Sequence, residues 1–106
     1  MHQTDQYDYE MLCTDLANKQ FVPLKARVKA NTIARFSDML SHPGEEFVYV
    51  LSGEVELHTQ FYAPTRLVAG DSAYFDSTMG HALLKASDED AEVLWICSRV
   101  VEPLRS

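Results

Sequence analysis

Read for polarity alone, the chain is a series of short runs in which apolar and polar residues alternate. In YDYEMLC, Tyr7, Tyr9, Met11 and Cys13 share one parity and Asp8 and Glu10 the other. In LKARVKA, Leu24, Ala26, Val28 and Ala30 oppose Lys25, Arg27 and Lys29. A period of two sends successive side chains to opposite faces, so each run predicts a half-buried strand with one wet face. Pro23 lacks an N–H and places the start of the second run near an edge. Ser52-Gly53 and Gly70-Asp71 break the next runs, and the acidic SDEDA joins HALLKA to AEVLWICSRVV as a solvent-facing loop. Seven or eight strands at this spacing predict an all-β sandwich or barrel.

Two segments depart from simple alternation. TIARFSDML places Ile33, Phe36, Met39 and Leu40 at helical spacing, but it is short for a stable helix and is expected to be extended or turn-like. From Phe47 to Leu51 both parities are apolar, with Val48 and Val50 on one side and Phe47, Tyr49 and Leu51 on the other. Such a strand is expected either to lie between two sheets or to meet another subunit with its outer face, and a domain this small points to a homodimer.

Composition narrows the class. The 106 residues make one domain, and 46% hydrophobic residues suffice for a core without disulfide staples. A net charge of −7 with scattered basic residues argues against a nucleic-acid surface. No run approaches the ~18 apolar residues of a membrane helix, and the polar opening MHQTDQYDYE carries no secretory pattern. The expected compartment is the cytoplasm, where Cys13 and Cys97 would be reduced, and both are expected to be buried core thiols.

The candidate chemistry sits where strands begin. His42 and Glu46 share parity, but four extended residues separate them by about 13 Å. That is too far for a common metal with bonds of about 2.0–2.2 Å, unless Pro43-Gly44 folds the chain. His81 opens the strand HALLKA. Two imidazoles and a carboxylate from different strands would form a facial triad for Zn, Fe, Mn or Ni. His2 and His58 are read as structural, and Glu45 as solvent-facing. Lys85 shares His81's parity and is a candidate partner for an anionic ligand. Tyr49, Phe75 and Trp95 are candidate walls of a pocket or an interface.

These residues also carry a resemblance. The chain resembles a small single-domain cupin, whose pattern is G-x5-H-x-H-x(3,4)-E-x6-G followed by G-x5-P-x-G-x2-H-x3-N. HPGEEFVYVLSG aligns His42, Glu46 and Gly53 with the first motif, and GDSAYFDSTMGH aligns Gly70 and His81 with the second. More narrowly, both stretches resemble the C-terminal cupin half of bacterial helix-turn-helix (XRE-type) transcriptional regulators. The resemblance implies a double-stranded β-helix, a cupin jelly-roll barrel of antiparallel strands. It would span 1–106, with an N-terminal arm over 1–20 and a barrel core over about 21–100. It also implies the inward placement of His42, Glu46 and His81. Leu40 stands where the pattern has its first metal histidine, Ala34 and Thr78 replace glycines, Asp76 a proline and Lys85 the asparagine. A four-ligand centre is thereby reduced to three ligands at best.

The expected function is a small-molecule-binding domain that senses a polar or carboxylated effector, with or without a divalent metal. The alternative is a small metal-dependent cupin enzyme of the dioxygenase or isomerase type.

Overall fold

The computed structural model of the chain describes residues 2, 3, 7–15, 17, 19–30 and 43–98. The segment TIARFSDML, Leu40 and His42 lie outside the described residues. The strands are β1 (His2–Gln3), β2 (Tyr7–Met11), β3 (Phe21–Val28), β4 (Glu45–Ser52), β5 (Glu54–Thr59), β6 (Thr65–Val68), β7 (Ser72–Asp76), β8 (His81–Lys85) and β9 (Ala91–Ser98). They form two antiparallel sheets, of order β1-β2-β3-β9-β4-β7 and β6-β5-β8. From β4 onward the chain keeps changing sheets: β4 is in the large sheet, β5 and β6 in the small one, β7 in the large, β8 in the small and β9 in the large. This exchange is the jelly-roll topology of a double-stranded β-helix. Among the described residues, no helix is long and apolar enough to cross a membrane.

The crossings depend on glycine at two places. At Gly53, where β4 passes to β5, φ is +78° and an added Cβ would lie 2.9 Å from Ala91 Cα. Both the left-handed backbone and the close approach exclude a side chain there. At Gly70 φ is +94°, with no neighbour in the way, so only the dihedral demands glycine. That turn is closed by Asp71 N–H to Val68 O at 2.8 Å and by Val68 N–H to Asp71 Oδ2 at 2.9 Å.

The core forms where the inner faces of the two sheets meet. Val28, Val48, Val50 and Val93 from the large sheet and Val55 and Leu83 from the small one are essentially inaccessible to solvent. Tyr7 ties the layers together. Its hydroxyl donates to Leu83 O at 3.1 Å and accepts from Leu83 N–H at 3.2 Å. Burial drives its pKa well above the ordinary tyrosine value. The alternation of β3 appears as expected, with Ala26 and Val28 buried and Lys25 and Arg27 exposed.

One sequence expectation is corrected and one is narrowed to its second alternative. Cys13 is exposed, with φ of +54°, because the chain turns there and the alternation of β2 stops at Met11. In β4 only Glu46, Val48 and Val50 are buried. Tyr49 and Leu51 are exposed on the far side and Phe47 is half-buried, so the strand is one-sided within this chain.

Candidate functional site

Glu46 is the second residue of β4 and belongs to the inner parity of that strand. Its neighbours across the large sheet are Phe75 on β7 and Cys97 on β9. His81 is the first residue of β8, in the opposite sheet, paired across from Thr59. The fold brings these two side chains together although they are far apart in sequence. His81 Nε2 lies 3.1 Å from Glu46 Oε2, and each residue is only 2% exposed.

Each group is held by a further contact. Trp95 Nε1–H donates to Glu46 Oε1 at 2.5 Å. His81 Nδ1 lies 2.9 Å from Met79 O, and since a carbonyl only accepts, Nδ1 carries a proton. The imidazole therefore turns Nε2 toward the carboxylate. The Phe75 ring covers it at 5.0 Å between centroids. Tyr7 meets Trp95 edge-on at 5.4 Å, and Tyr9 extends the aromatic group at 5.5 Å from Tyr7.

The electrostatics follow from burial and from one negative charge. Burial, the largest influence on His81, disfavours the imidazolium. The Glu46 hydrogen bond, the Met79 carbonyl and the Glu46 charge act the other way and together raise its pKa. Burial also pushes the Cys97 thiol up to about 12, with the Glu46 charge adding to it. The Tyr9 hydroxyl rises to about 12, chiefly by burial. Ser77, between β7 and β8, is fully buried, and its Oγ has no hydrogen-bond partner among the described residues. Its N–H donates to Gly44 O at 3.0 Å, so this orphaned hydroxyl lies at the same end of the barrel as the pair.

The remaining sequence candidates divide. Phe75 and Trp95, 7% and 6% exposed, face inward beside the pair. Tyr49 lies on the outer face and does not line the interior. Lys85 has the inner parity, across from Val55, but its Nζ turns to Asp90 Oδ1 at 3.1 Å and Asp88 O at 3.4 Å. The acidic loop between β8 and β9 thus takes up its charge. His58 Nε2 lies 2.6 Å from Glu56 Oε1, a local contact two residues apart. His42 lies outside the described residues. From the sequence Trp95 is a candidate wall of a pocket or an interface. Its role as donor to Glu46 depends on the β4–β9 register, and Ser77 carried no signal at all.

Two concavities lie elsewhere. One, of about 100 Å³, is lined by Asp8, Glu10, Lys25, Ala26, Arg27 and Glu92 on the outer face of the large sheet. The other, of about 590 Å³, opens beside Gly53, Glu54, Val68 and the loop of Ser87–Glu89. Neither contains Glu46 or His81, which are the ionisable pair of the core.

The pair can be tested against a transition metal on the observed distance. Two donors bonded at about 2.1 Å and at right angles to one another lie about 3.0 Å apart. The observed 3.1 Å between Nε2 and Oε2 matches that spacing as well as it matches a hydrogen bond. The contacts from Met79 and Trp95 are of the kind that orient first-sphere ligands. The described residues supply two donors, and among them no group of three His, Cys, Asp or Glu gathers. The two described donors therefore fit a metal in kind, and His42, the third residue of the expected triad, lies outside the described residues.

Comparison with known proteins agrees with this architecture. The family model described as "Cupin domain" matches residues 33–97. No protein of curated function matches the chain. Among solved structures, it is similar to the Cupin_2 domain of an XRE family transcriptional regulator from Enterobacter cloacae. The TM-score is 0.73 at 16% identity, covering 91% of this chain and 99% of that one. It is similar to cobalt(II) HppE in complex with substrate, with a TM-score of 0.72 at 23% identity, covering 88% of this chain and 52% of that one. Ectoine synthase from P. lautus gives 0.73 at 17%, covering 92% and 67%. The chain thus spans about half the length of HppE, and at these identities the likeness is one of fold.

Proposed function

The chain belongs to the cupin domain family, and from that premise we propose that it is a small-molecule-binding barrel whose polar floor is Glu46 and His81. The observation that carries this reading is the carboxylate buried between His81 and Trp95. Taking a carboxylate and an imidazole out of water costs several kcal/mol, and an apolar pair of the same volume would avoid that cost. A polar pair in the core is thus a poor way to gain stability and a good way to recognise a polar ligand. The orphaned Ser77 hydroxyl adds a further hydrogen-bonding group at that end.

A divalent transition metal would be held by Glu46 Oε2, His81 Nε2 and His42. When bound, it supplies a Lewis acid with open positions for a carboxylated or otherwise bidentate ligand. The chain's own residues do the rest. Met79 O fixes the tautomer of His81, Trp95 holds Glu46 Oε1 and leaves Oε2 for its partner, and Phe75 keeps water from the imidazole.

The role that fits best is an effector-sensing domain of a helix-turn-helix regulator. The regulator cupin from Enterobacter cloacae matches this chain nearly end to end, at 91% and 99% coverage. The larger HppE is matched over only about half its length. Leu40, in place of the first motif histidine, leaves a smaller ligand set than the full family pattern. The second reading, a metal-dependent enzyme, rests on the same Glu46–His81 pair.

The test is metal content after loading with Fe(II), Mn(II), Ni(II) or Zn(II), read by mass spectrometry on wild type and His81→Ala. Trp95 is the single tryptophan, so its fluorescence reports on Glu46 in the same samples. About one equivalent of metal, lost in the variant and accompanied by a change in Trp95 emission, supports the metal-bearing barrel. No metal under any loading condition ends the metalloenzyme reading. Thermal shifts with small carboxylic acids, abolished in Glu46→Gln, then test the polar floor alone.

A further inference from the structure

We propose that the molecule bound at Glu46 and His81 is amphipathic, with an uncharged apolar body lying along a wall of Tyr9, Met11, Val22, Leu24 and Cys97. The proposal rests on the reading of the pair as a polar floor and adds the chemical class of its ligand.

The wall follows from how the inner face of the large sheet changes from one end to the other. Along β2 the inner-parity residues run from Tyr7, 3% exposed, through half-buried Tyr9 to Met11 at 40%. Along β3, Val28 and Ala26 are buried while Leu24 and Val22 are half-buried. Along β9, Ala91, Val93 and Trp95 are buried and Cys97 is half-buried. The three strands open toward the same end, because Met11 pairs with Leu24, Leu24 with Trp95 and Val22 with Cys97. Glu46 stands at that end too, paired with Cys97. Apolar packing closes this face at one end and leaves it partly open at the end that holds the ionisable pair.

Continuity with the pair decides what occupies the wall. Cys97 is the neighbour of Glu46 across the sheet, and Val22 is the next residue beyond it. At about 4.8 Å between strands, Val22 is about 10 Å from Glu46. Leu24 and Met11 continue the wall one level further along. A wall that leads onto two buried polar groups fits one small molecule with a polar head and an apolar body. The wall itself carries no charge. Val22, Leu24 and Met11 are apolar, and burial pushes the Tyr9 hydroxyl and the Cys97 thiol up to about 12, so both are neutral at pH 7. A second carboxylate or a phosphate placed here would leave water without gaining a partner. An alkyl body gains by leaving water, and the unbranched Met11 side chain adapts to its shape.

The experiment is an NMR titration of the purified chain, with and without Zn(II), using acetic, butyric, hexanoic and adipic acids. The Trp95 indole N–H, bonded to Glu46, reports on the head, and the Met11 methyl reports on the body. Acetic acid is expected to shift Trp95 alone, and hexanoic acid to shift both. A methylene taken fully out of water is worth about four-fold in affinity, and one covered on a single side about two-fold. Hexanoic acid, longer than acetic acid by four methylenes, is therefore expected to bind about ten-fold tighter or more. Adipic acid, of the same length but with a second carboxylate, is expected to lose that gain. Met11→Asp and Val22→Asp, with their fold confirmed by far-ultraviolet circular dichroism, are expected to bring the ratio of hexanoic to acetic affinity within about three-fold. Val68→Asp, on β6 at the other end of the barrel, is expected to leave the ratio unchanged. Acids that bind in wild type and not in Glu46→Gln, with no dependence on chain length, would overturn the amphipathic class and leave the polar floor standing. Hexanoic acid binding without a shift at Met11, or a ratio unchanged in both wall variants, would overturn it as well. No binding of any acid would overturn both readings.

Discussion

Replacing Glu46 by Gln keeps the shape of the buried side chain and removes its charge. In metal-free wild type, Glu46 accepts from Trp95 Nε1 and sits 3.1 Å from His81 Nε2. The amide oxygen of glutamine can still accept from Trp95, but its NH₂ group then faces Nε2. His81 must turn a lone pair toward it and stay neutral. The two influences of Glu46 that raise the His81 pKa disappear, while burial, the largest influence and one that lowers it, remains. The pKa is expected to fall below its ordinary value of 6.5, and its pH linkage to invert. In wild type the folded pKa is raised. The stabilisation is then fully present below 6.5 and is lost as pH rises through the folded value. In the variant the folded pKa is lowered, so stability is lost instead as pH falls through 6.5. Near and below 6.5 the lost charge-assisted bond is worth about 1.5–3 kcal/mol, partly offset because no carboxylate is desolvated. The difference between the two stabilities should therefore be largest in mild acid and shrink as pH rises. Urea denaturation at a series of pH values, with the His81 ring titrated by NMR, measures both. A variant whose His81 titrates at or above the wild-type value would refute this account of the pair, as would a stability difference that grows with pH.

Four further outcomes follow from the same packing. Trp95→Phe removes the donor to Glu46 Oε1 and is expected to cost about 1–3 kcal/mol in denaturant unfolding and, in metal-loaded protein, about 10–100-fold in metal affinity by competitive chelation. Tyr7→Phe deletes the hydroxyl that serves both Leu83 N–H and Leu83 O, and should cost about 1–3 kcal/mol by the same assay. Gly53→Ala meets Ala91 at 2.9 Å as well as a positive φ, whereas Gly70→Ala meets only the dihedral. The first should lower stability by more than the ~1 kcal/mol expected of the second, as read by thermal unfolding. Finally, Cys13 is exposed while the half-buried Cys97 thiol is pushed to about 12. A thiol reagent at neutral pH should label one cysteine in the folded chain and both in urea.

Much of the barrel could be read from parity, and the failures show where parity stops. The β3 alternation assigned Ala26 and Val28 to the core and Lys25 and Arg27 to water, and that is their placement. The same rule carried Cys13 inward, because it cannot see that β2 ends at Met11 and the chain turns. For Val48 and Tyr49 the rule separated two faces but not which one the second sheet would cover. Lys85 has the inner parity, yet its long stem lets the amine reach Asp90 at the surface. Trp95 was visible only as an aromatic residue. Its contact with Glu46, 49 residues away, follows from β9 lying beside β4.

Taken alone, the order of residues determined most of the strands, their division into two faces and the glycine crossings. These depend on a two-residue period and on dihedral limits that act within a few neighbouring positions. The packing of the two sheets decided that Glu46, His81 and Trp95 meet, that Tyr49 and Tyr74 lie on the outer face and that the Ser77 hydroxyl finds no partner among the described residues. Such contacts depend on strand order and register, set by hydrogen bonds between segments dozens of residues apart, and no local pattern encodes them.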